Sequence, residues 1–270
     1  MECAAEADVN SDQQDKRLKE RLSDIKKRIV VLSGKGGVGK STVAVNLAVS
    51  LAMDGASVGL VDVDLHGPNV AKMLGVENAR CSGTGDYIEP VEVLTDLKVV
   101  SLSFLLEDPQ AAVIWRGPRK MSVIKQFLSD INWGQLDYLI VDTPPGTGDE
   151  PLSVCQFLEH VDGAIVVTTP QDVALLDSSR SISFAAQLGI PVIGIIENMS
   201  GCLCPHCGES VDIFGSGGAE KAAEKLGIEF LGSIPLTSGL AKAADAGTPF
   251  VIKEKNSELF SVMQKIIAKI

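Results

Sequence analysis

The residues best suited to chemistry lie in one short stretch, Gly34-Lys35-Gly36-Gly37-Val38-Gly39-Lys40-Ser41-Thr42. From Gly34 to Ser41 it matches Gly-x4-Gly-Lys-[Ser/Thr], the pattern of a phosphate-binding loop. Glycines let successive backbone N–H groups turn inward on a phosphate without Cβ clashes. Lys40 has the reach for β- and γ-phosphates of ATP, and a hydroxyl at Ser41 can ligate Mg²⁺. The bland alternative is a glycine turn that binds nothing. Context weighs against it: the apolar run 28–33 precedes the loop and a helically spaced run, 43–52, follows it. Lys35 is a departure from an ordinary loop of this kind. A cation one residue after the first glycine leans away from its own phosphates and toward those of a facing copy. The plain alternative is a solvated loop charge.

Further polar groups follow apolar runs. Asp142 comes after Tyr138-Leu139-Ile140-Val141 and before Thr143-Pro144-Pro145-Gly146. A carboxylate there binds Mg²⁺ directly or through water. Gly146 offers an N–H able to sense the γ-phosphate, and the proline pair stiffens the segment. The competing reading is an Asp that merely ends a strand. Asp62 and Asp64 flank Val63, so on extended backbone they point the same way. Asp64 is assigned the positioning of attacking water and Asp62 a place in the Mg²⁺ shell. The alternative is a surface loop capping the next helix. Asn198 follows another apolar run; its amide can pair with an adenine edge or simply end a strand.

There are six cysteines, and three fall within Cys202-Leu203-Cys204-Pro205-His206-Cys207. In a reducing compartment such clustering favours metal or redox chemistry over a disulfide frame. Cys204 and Cys207 form a Cys-x-x-Cys pair, which puts two thiolates on one metal centre. A structural zinc or a [4Fe–4S] cluster wants four ligands, and the chain has no second pair. The rest must come from Cys202 and His206 or from another subunit. A two-fold dimer would bring four cysteines to one bridging centre. Iron–sulfur and zinc both suit that geometry, and thiol–disulfide chemistry is a third reading. Cys81 and Cys155 read as small buried apolar residues. His66, His160 and His206 share no metal-site spacing.

These residues need a scaffold that brings distant segments to one edge. Apolar runs at 57–61, 99–102, 138–141, 164–168, 192–196 and 230–234 read as strands beside 28–33. Helical stretches fall between them, as at 178–188, 218–226 and 257–270. The alternation predicts an α/β fold, a mostly parallel twisted sheet of about seven or eight strands with helices on both faces. Every polar signature then sits at a strand's carboxyl end, where such sheets bind ligands. Apolar content of 45% with only 4% aromatics implies a core of Val, Ile, Leu and Ala. Residues 1–27 read as a polar arm, disordered at its start and then a short exposed helix; residues 28–270 read as a single domain. A net charge of −11 argues against non-specific nucleic-acid binding. No run approaches the ~20 apolar residues of a membrane helix, and the N-terminus is unlike a signal peptide. A cytoplasmic protein is expected, with no nucleic-acid and no membrane partner. The lysine-bearing apolar tail 259–270 has the composition of a membrane-targeting helix, but a helix laid on the sheet is the plainer reading.

The Gly-Lys-Gly-Gly-x-Gly-Lys form of the loop resembles the deviant Walker A class of P-loop ATPases, which includes the nitrogenase iron protein and the Min and Par ATPases. Within that class, residues 28 to 270 resemble the Mrp/ApbC family of iron–sulfur cluster carrier ATPases. The motifs that carry the resemblance are the 34–42 loop, Asp62-x-Asp64-x-x-Gly67-Pro68, Trp115-Arg116-Gly117-Pro118, the segment from Asp142 to Asp149, Glu197-Asn198-Met199-Ser200 and Cys204-Pro205-x-Cys207. It implies an ATP-dependent homodimer in which Lys35 acts in trans. It implies slow ATP hydrolysis carried by Lys35, Lys40 and Asp64, with nucleotide contacts from the 34–42 loop, Asn198 and Pro235. It also implies a labile [4Fe–4S] cluster bridged by Cys204 and Cys207 of both subunits and delivered to apo-proteins. Cys202 has no place in that pattern. Two alternatives stand beside it: a positioning ATPase of the Min/Par kind, and the same ATPase with structural zinc in place of the cluster.

Overall fold

The computed structural model describes residues 2–64, 67–83, 87–105, 117–203, 207, 209–253 and 257–270. Helix α1 (Glu2–Ser23) leads into β1 (Ile25–Leu32), and α2 (Lys40–Met53) into β2 (Val58–Asp62). A short helix α3 (Val70–Met73) precedes β3 (Val91–Leu94) and β4 (Leu97–Ser101). Then come α4 (Gly117–Asp130), β5 (Leu136–Asp142), α5 (Asp149–Phe157), β6 (Gly163–Thr168), α6 (Asp172–Gln187) and β7 (Val192–Asn198). The cysteine segment is a small antiparallel hairpin of β8 (Cys202–Leu203) and β9 (Ser210–Val211). Helix α7 (Gly218–Leu226), β10 (Phe230–Ile234), α8 (Ser238–Asp245), α9 (Phe250–Lys253) and α10 (Glu258–Ile267) complete the chain.

Eight strands form one sheet in the order β10-β7-β6-β1-β5-β2-β4-β3, parallel except for β3 against β4. The mostly parallel sheet is the one the alternating pattern predicts. Strand β3 is an addition. Val91-Glu92-Val93-Leu94 is half-buried at an edge, so it lacks the continuous apolar run that marks a central strand. From β1 the chain moves first toward β5, β2 and β4, and later returns to β6, β7 and β10 on the other side. That reversal puts a crevice beside the carboxyl end of β1, between β5 and β6.

The period of two along each strand sorts side chains into two cores. Ile29, Val31 and Ile140 face the layer containing α2 and α10; Val30, Leu32, Leu139 and Val141 face the layer containing α4 and α5. Each fully buried Val, Leu or Ile stabilises the fold by about 1.5–3 kcal/mol. The N-terminal arm differs from the exposed helix expected of it. Leu18 and Leu22 are buried in the second core, and the Arg28 guanidinium donates to the Leu22 carbonyl at 2.5 Å. The two leucines are four apart, so they form one stripe on the otherwise polar second half of the helix. The tail also lies on the sheet: Met263 and Ile266 of α10 are buried, and Ser257 caps that helix by accepting from the Phe260 N–H at 3.1 Å. No described helix is long and apolar enough to cross a membrane.

Candidate functional site

Between β1 and α2 the chain wraps a cavity of about 210 Å³. Its wall is made by residues 35–37 and 39–42, joined by Ser33, Asp64, Asn69 and Pro145. Larger hollows of about 300 and 410 Å³ lie at the amino ends of the strands, beside Ile190 and Ile25 respectively, away from every motif named above. Two glycines shape the loop by necessity. Gly39 has φ +82, and a Cβ there would lie 2.1 Å from Asn198 Nδ2. Gly34 lets α6 come close, since a Cβ would lie 2.2 Å from the backbone carbon of Asp177. No side chain caps the first turn of α2. Its N–H groups and the positive end of its dipole are therefore available to an anion in the cavity.

Lys40 is 6% exposed and its ammonium contacts the Asp142 carboxylate, with Ser41 Oγ at 3.5 Å. Burial pushes the Asp142 carboxyl up, while Lys40 and the Ser41 hydroxyl pull it back down. Its second oxygen, Oδ2, is buried and has no hydrogen-bond partner among the described residues. An orphaned carboxylate oxygen beside a serine hydroxyl is a donor set of hard oxygens that fits Mg²⁺. Lys35 is half-buried on the cavity wall. Among the described residues none pairs with its ammonium.

Asp62 and Asp64 do not act as a matched pair. Asp64 lines the cavity and accepts from the Gly67 N–H at 3.3 Å. Asp62 is fully buried and does not reach the cavity wall. Its carboxylate accepts from the N–H groups of Asp64 (3.1 Å) and Val70 (3.2 Å) and from Ser101 Oγ (3.1 Å). Burial and the nearby Asp142 push its carboxyl up to about 8, against the opposing pull of the two N–H groups and Lys40. In place of the expected metal shell, Asp62 fixes the loop that presents Asp64. The extended-strand argument failed because the strand ends at Asp62 and the chain turns there.

The segment after Asp142 is tied to β1. Thr143 Oγ1 donates to the Val31 carbonyl at 2.8 Å, and the Gly146 N–H donates to the Ser33 carbonyl at 2.8 Å. The proposed phosphate sensor is thus bonded to the start of the loop itself. Asn198 is buried, and its Nδ2 donates to the Val38 carbonyl at 2.8 Å. Its amide supports the loop from behind, an arrangement its position in the chain did not announce. Pro235 is half-buried just past β10 and does not line the cavity. Sequence reasoning gave Thr143 and Ser33 no role as supporting groups; each signal is one polar residue at the carboxyl end of an apolar strand.

The hairpin β8–β9 pairs Cys202 with Val211 and Leu203 with Ser210. Cys202 is half-buried. Cys207 is exposed, its Sγ 3.8 Å from Glu209 Oε2. Cys204 and His206 lie outside the described residues, as do His66, Trp115 and Arg116. Among the described residues no three His, Cys, Asp or Glu side chains converge on a metal position. Cys81 and Cys155 have thiols pushed up to about 11 by burial, as inert structural cysteines do.

Known proteins resemble this chain along nearly its whole length. The family profile described as ParA, NUBPL iron-transfer P-loop NTPase, matches residues 24–270. An iron–sulfur cluster carrier protein from Methanocaldococcus jannaschii is 53% identical over 260 residues, which is 96% of this chain and 90% of the relative. A nucleotide-binding protein from Archaeoglobus fulgidus, solved in complex with ADP and with Co found, is 40% identical with a TM-score of 0.78, covering 91% of this chain and 95% of that one. The septum site-determining protein MinD from Pyrococcus horikoshii, solved with Mg-ADP, is 25% identical with a TM-score of 0.65, covering 89% of this chain and 94% of that one.

Proposed function

Because the chain belongs to the ParA family as a NUBPL-type iron-transfer P-loop NTPase, we propose that it is an ATP-gated homodimeric carrier that holds a [4Fe–4S] cluster between two subunits and hands it to apo-proteins. The observation that carries this reading is an exposed Cys207 on a hairpin that grows from β7, the strand whose end also supports the phosphate loop through Asn198. The iron–sulfur carriers among its relatives support the cargo, and the ADP-bound relative supports the nucleotide.

ATP places its phosphates in the cavity, against the loop N–H groups and the start of α2. Lys40 leaves Asp142 for the β- and γ-phosphates. Ser41 and Asp142 would hold Mg²⁺, which when bound neutralises charge on the phosphate oxygens. Asp64 orients the attacking water, held in place by the Asp62-pinned loop. Lys35 of the facing copy adds a cation to the charge that grows in the transition state. Lys40 and Lys35 are therefore the groups whose loss slows hydrolysis most. Cys204 and Cys207 from each subunit bind the cluster as cargo, at an exposed place where a recipient can reach it.

Anaerobic reconstitution with iron and sulfide tests the reading. The wild type is expected to gain visible absorption and about four irons per dimer, and Cys204→Ala and Cys207→Ala to lose both. Metal content indifferent to those two sulfurs, or ATP-loaded protein that stays monomeric, would sink it. The same measurement separates iron from structural zinc. A positioning ATPase is the second reading, favoured by the fold shared with MinD. Burial of Met263 and Ile266 in the core supports a tail helix laid on the sheet. Liposome flotation separates the two readings.

A further inference from the structure

We propose that Glu197 is the positioning residue that transmits nucleotide occupancy to the cysteine hairpin; this rests on the carrier function above. Three consecutive residues at the end of β7 face in different directions and touch different machinery. Asn198 donates to Val38 in the phosphate loop. The next residue, Met199, has φ +57, a left-handed conformation uncommon outside glycine, and its Cε lies 3.8 Å from where a Cβ on Gly39 would sit. The preceding residue, Glu197, is wholly buried, and its carboxylate gathers both ends of the hairpin. Its Oε1 accepts from Ser200 Oγ at 2.6 Å, just before the hairpin, and from the Gly217 N–H at 2.8 Å, just after it. Its Oε2 accepts from the Ala219 N–H at 2.6 Å in the first turn of α7.

One carboxylate thus replaces the side-chain cap that α7 lacks, and closes the base of the 200–217 segment. Backbone bonds complete the base: the Gly201 N–H donates to Gly215 at 3.2 Å, the Ser200 N–H to Ile234 at 3.0 Å and the Leu236 N–H to Gly201 at 2.9 Å. Beyond this base, among the described residues, the hairpin pairs at two positions of β8 and β9. A small rotation at the base is therefore amplified at Cys207. Loop residues Val38 and Gly39 move when phosphate enters; Asn198 and Met199 carry that movement into the end of β7; Glu197, on the same backbone, passes it to Ser200 and Gly217. The left-handed Met199 is the turn at which strand becomes hairpin, and it absorbs the change. The bonds of the 142–149 segment, by contrast, run to Val31, Ser33, Lys40 and Val63. The route from nucleotide to cargo is β7, not that segment.

The test reads the hairpin without cargo. The alkylation rate of Cys207, followed by peptide mass spectrometry in metal-free protein, is measured with and without ATP in wild type and in Glu197→Gln. The wild-type rate should change at least about fivefold on adding ATP, the scale of an ordinary coupling free energy. In Glu197→Gln the response should collapse to below about twofold while ATP is still bound and hydrolysed. An undiminished response in Glu197→Gln overturns the proposal. So does a variant that loses ATP binding and the Cys207 response together, because that marks a merely structural role. If Glu197→Gln does not fold, Ser200→Ala carries the test: it removes one donor to the same oxygen, and an unchanged Cys207 response in it overturns the link. Glu197→Asp, which keeps the charge, should restore part of the response. Failure of the wild type to bind iron, with the Cys207 response intact, would count against the carrier function and leave the β7 link standing.

Discussion

The phosphate loop and the cysteine hairpin grow from the carboxyl edge of one sheet, yet they are built in opposite ways. The loop is held from three sides: α6 presses on Gly34, Asn198 supports Val38, and Gly146 bonds Ser33. Lys40 of the loop and Asp142 beside it are almost fully buried. The hairpin has two short strands, an exposed Cys207 and exposed apolar residues Val211, Ile213 and Phe214 after it. The difference follows from the chemistry each must do. Stabilising charge in a transition state needs donors fixed in advance and shielded from water. Passing on a labile cargo needs ligands a partner can reach. The rigid end is where substitutions should cost most, and the open end is where they should change only cargo.

Lys40→Ala makes the largest break. Hydrolysis should fall by about 10²-fold or more, since the variant loses a phosphate contact and strands the Asp142 carboxylate. Iron content after reconstitution should stay at the wild-type level. A phosphate-release assay and an iron count on the same sample check both, and transfer to a recipient at an unchanged rate would refute ATP gating. Gly34→Ala comes next. The added methyl has no room against Asp177, so unfolding stability should drop by about 1–3 kcal/mol, with weaker nucleotide binding seen by calorimetry. Thr143→Val leaves the Val31 carbonyl without its donor and should cost about 1–2 kcal/mol in urea denaturation.

Asp62 sharpens the comparison through pH. The fold keeps a proton on its carboxyl up to about pH 8, whereas the unfolded chain releases it near 3.8. Between those values the native state binds more protons than the unfolded state, so stability falls as pH rises. Asp62→Asn should flatten that slope, read from denaturation midpoints across the window. Cys207→Ser is the smallest effect on the fold: being exposed, it should shift stability by no more than about 0.5 kcal/mol while abolishing iron binding. A large loss of stability there would mean that the hairpin is as tightly integrated as the loop.

Much of this was legible in the residues. The loop from Gly34 to Thr42 and the buried strands before Asp62, Asp142 and Asn198 announce themselves through spacing and period, because local geometry alone requires glycine at a left-handed turn and apolar side chains on a covered strand. The Cys204-x-x-Cys207 spacing was equally plain. The roles of individual polar groups were less so. Asp62 and Asp64 look equivalent in the sequence, but one is buried under its own loop and the other opens to the cavity. Asn198 looks like a reader of bases, and its support of the Val38 carbonyl is not legible in the sequence. Leu18 and Leu22 look like isolated leucines in a charged arm, and both are in the core.

The sequence by itself determined the α/β class, the phosphate-binding loop and the thiolate pair, since each depends on residues adjacent in the chain. Only the tertiary structure decided which carboxylate faces the cavity, which amide supports the loop and that Glu197 fastens both ends of the cysteine hairpin. Those choices depend on where a turn places a side chain relative to segments far away in sequence, and burial with hydrogen bonding fixes that only once the sheet has assembled.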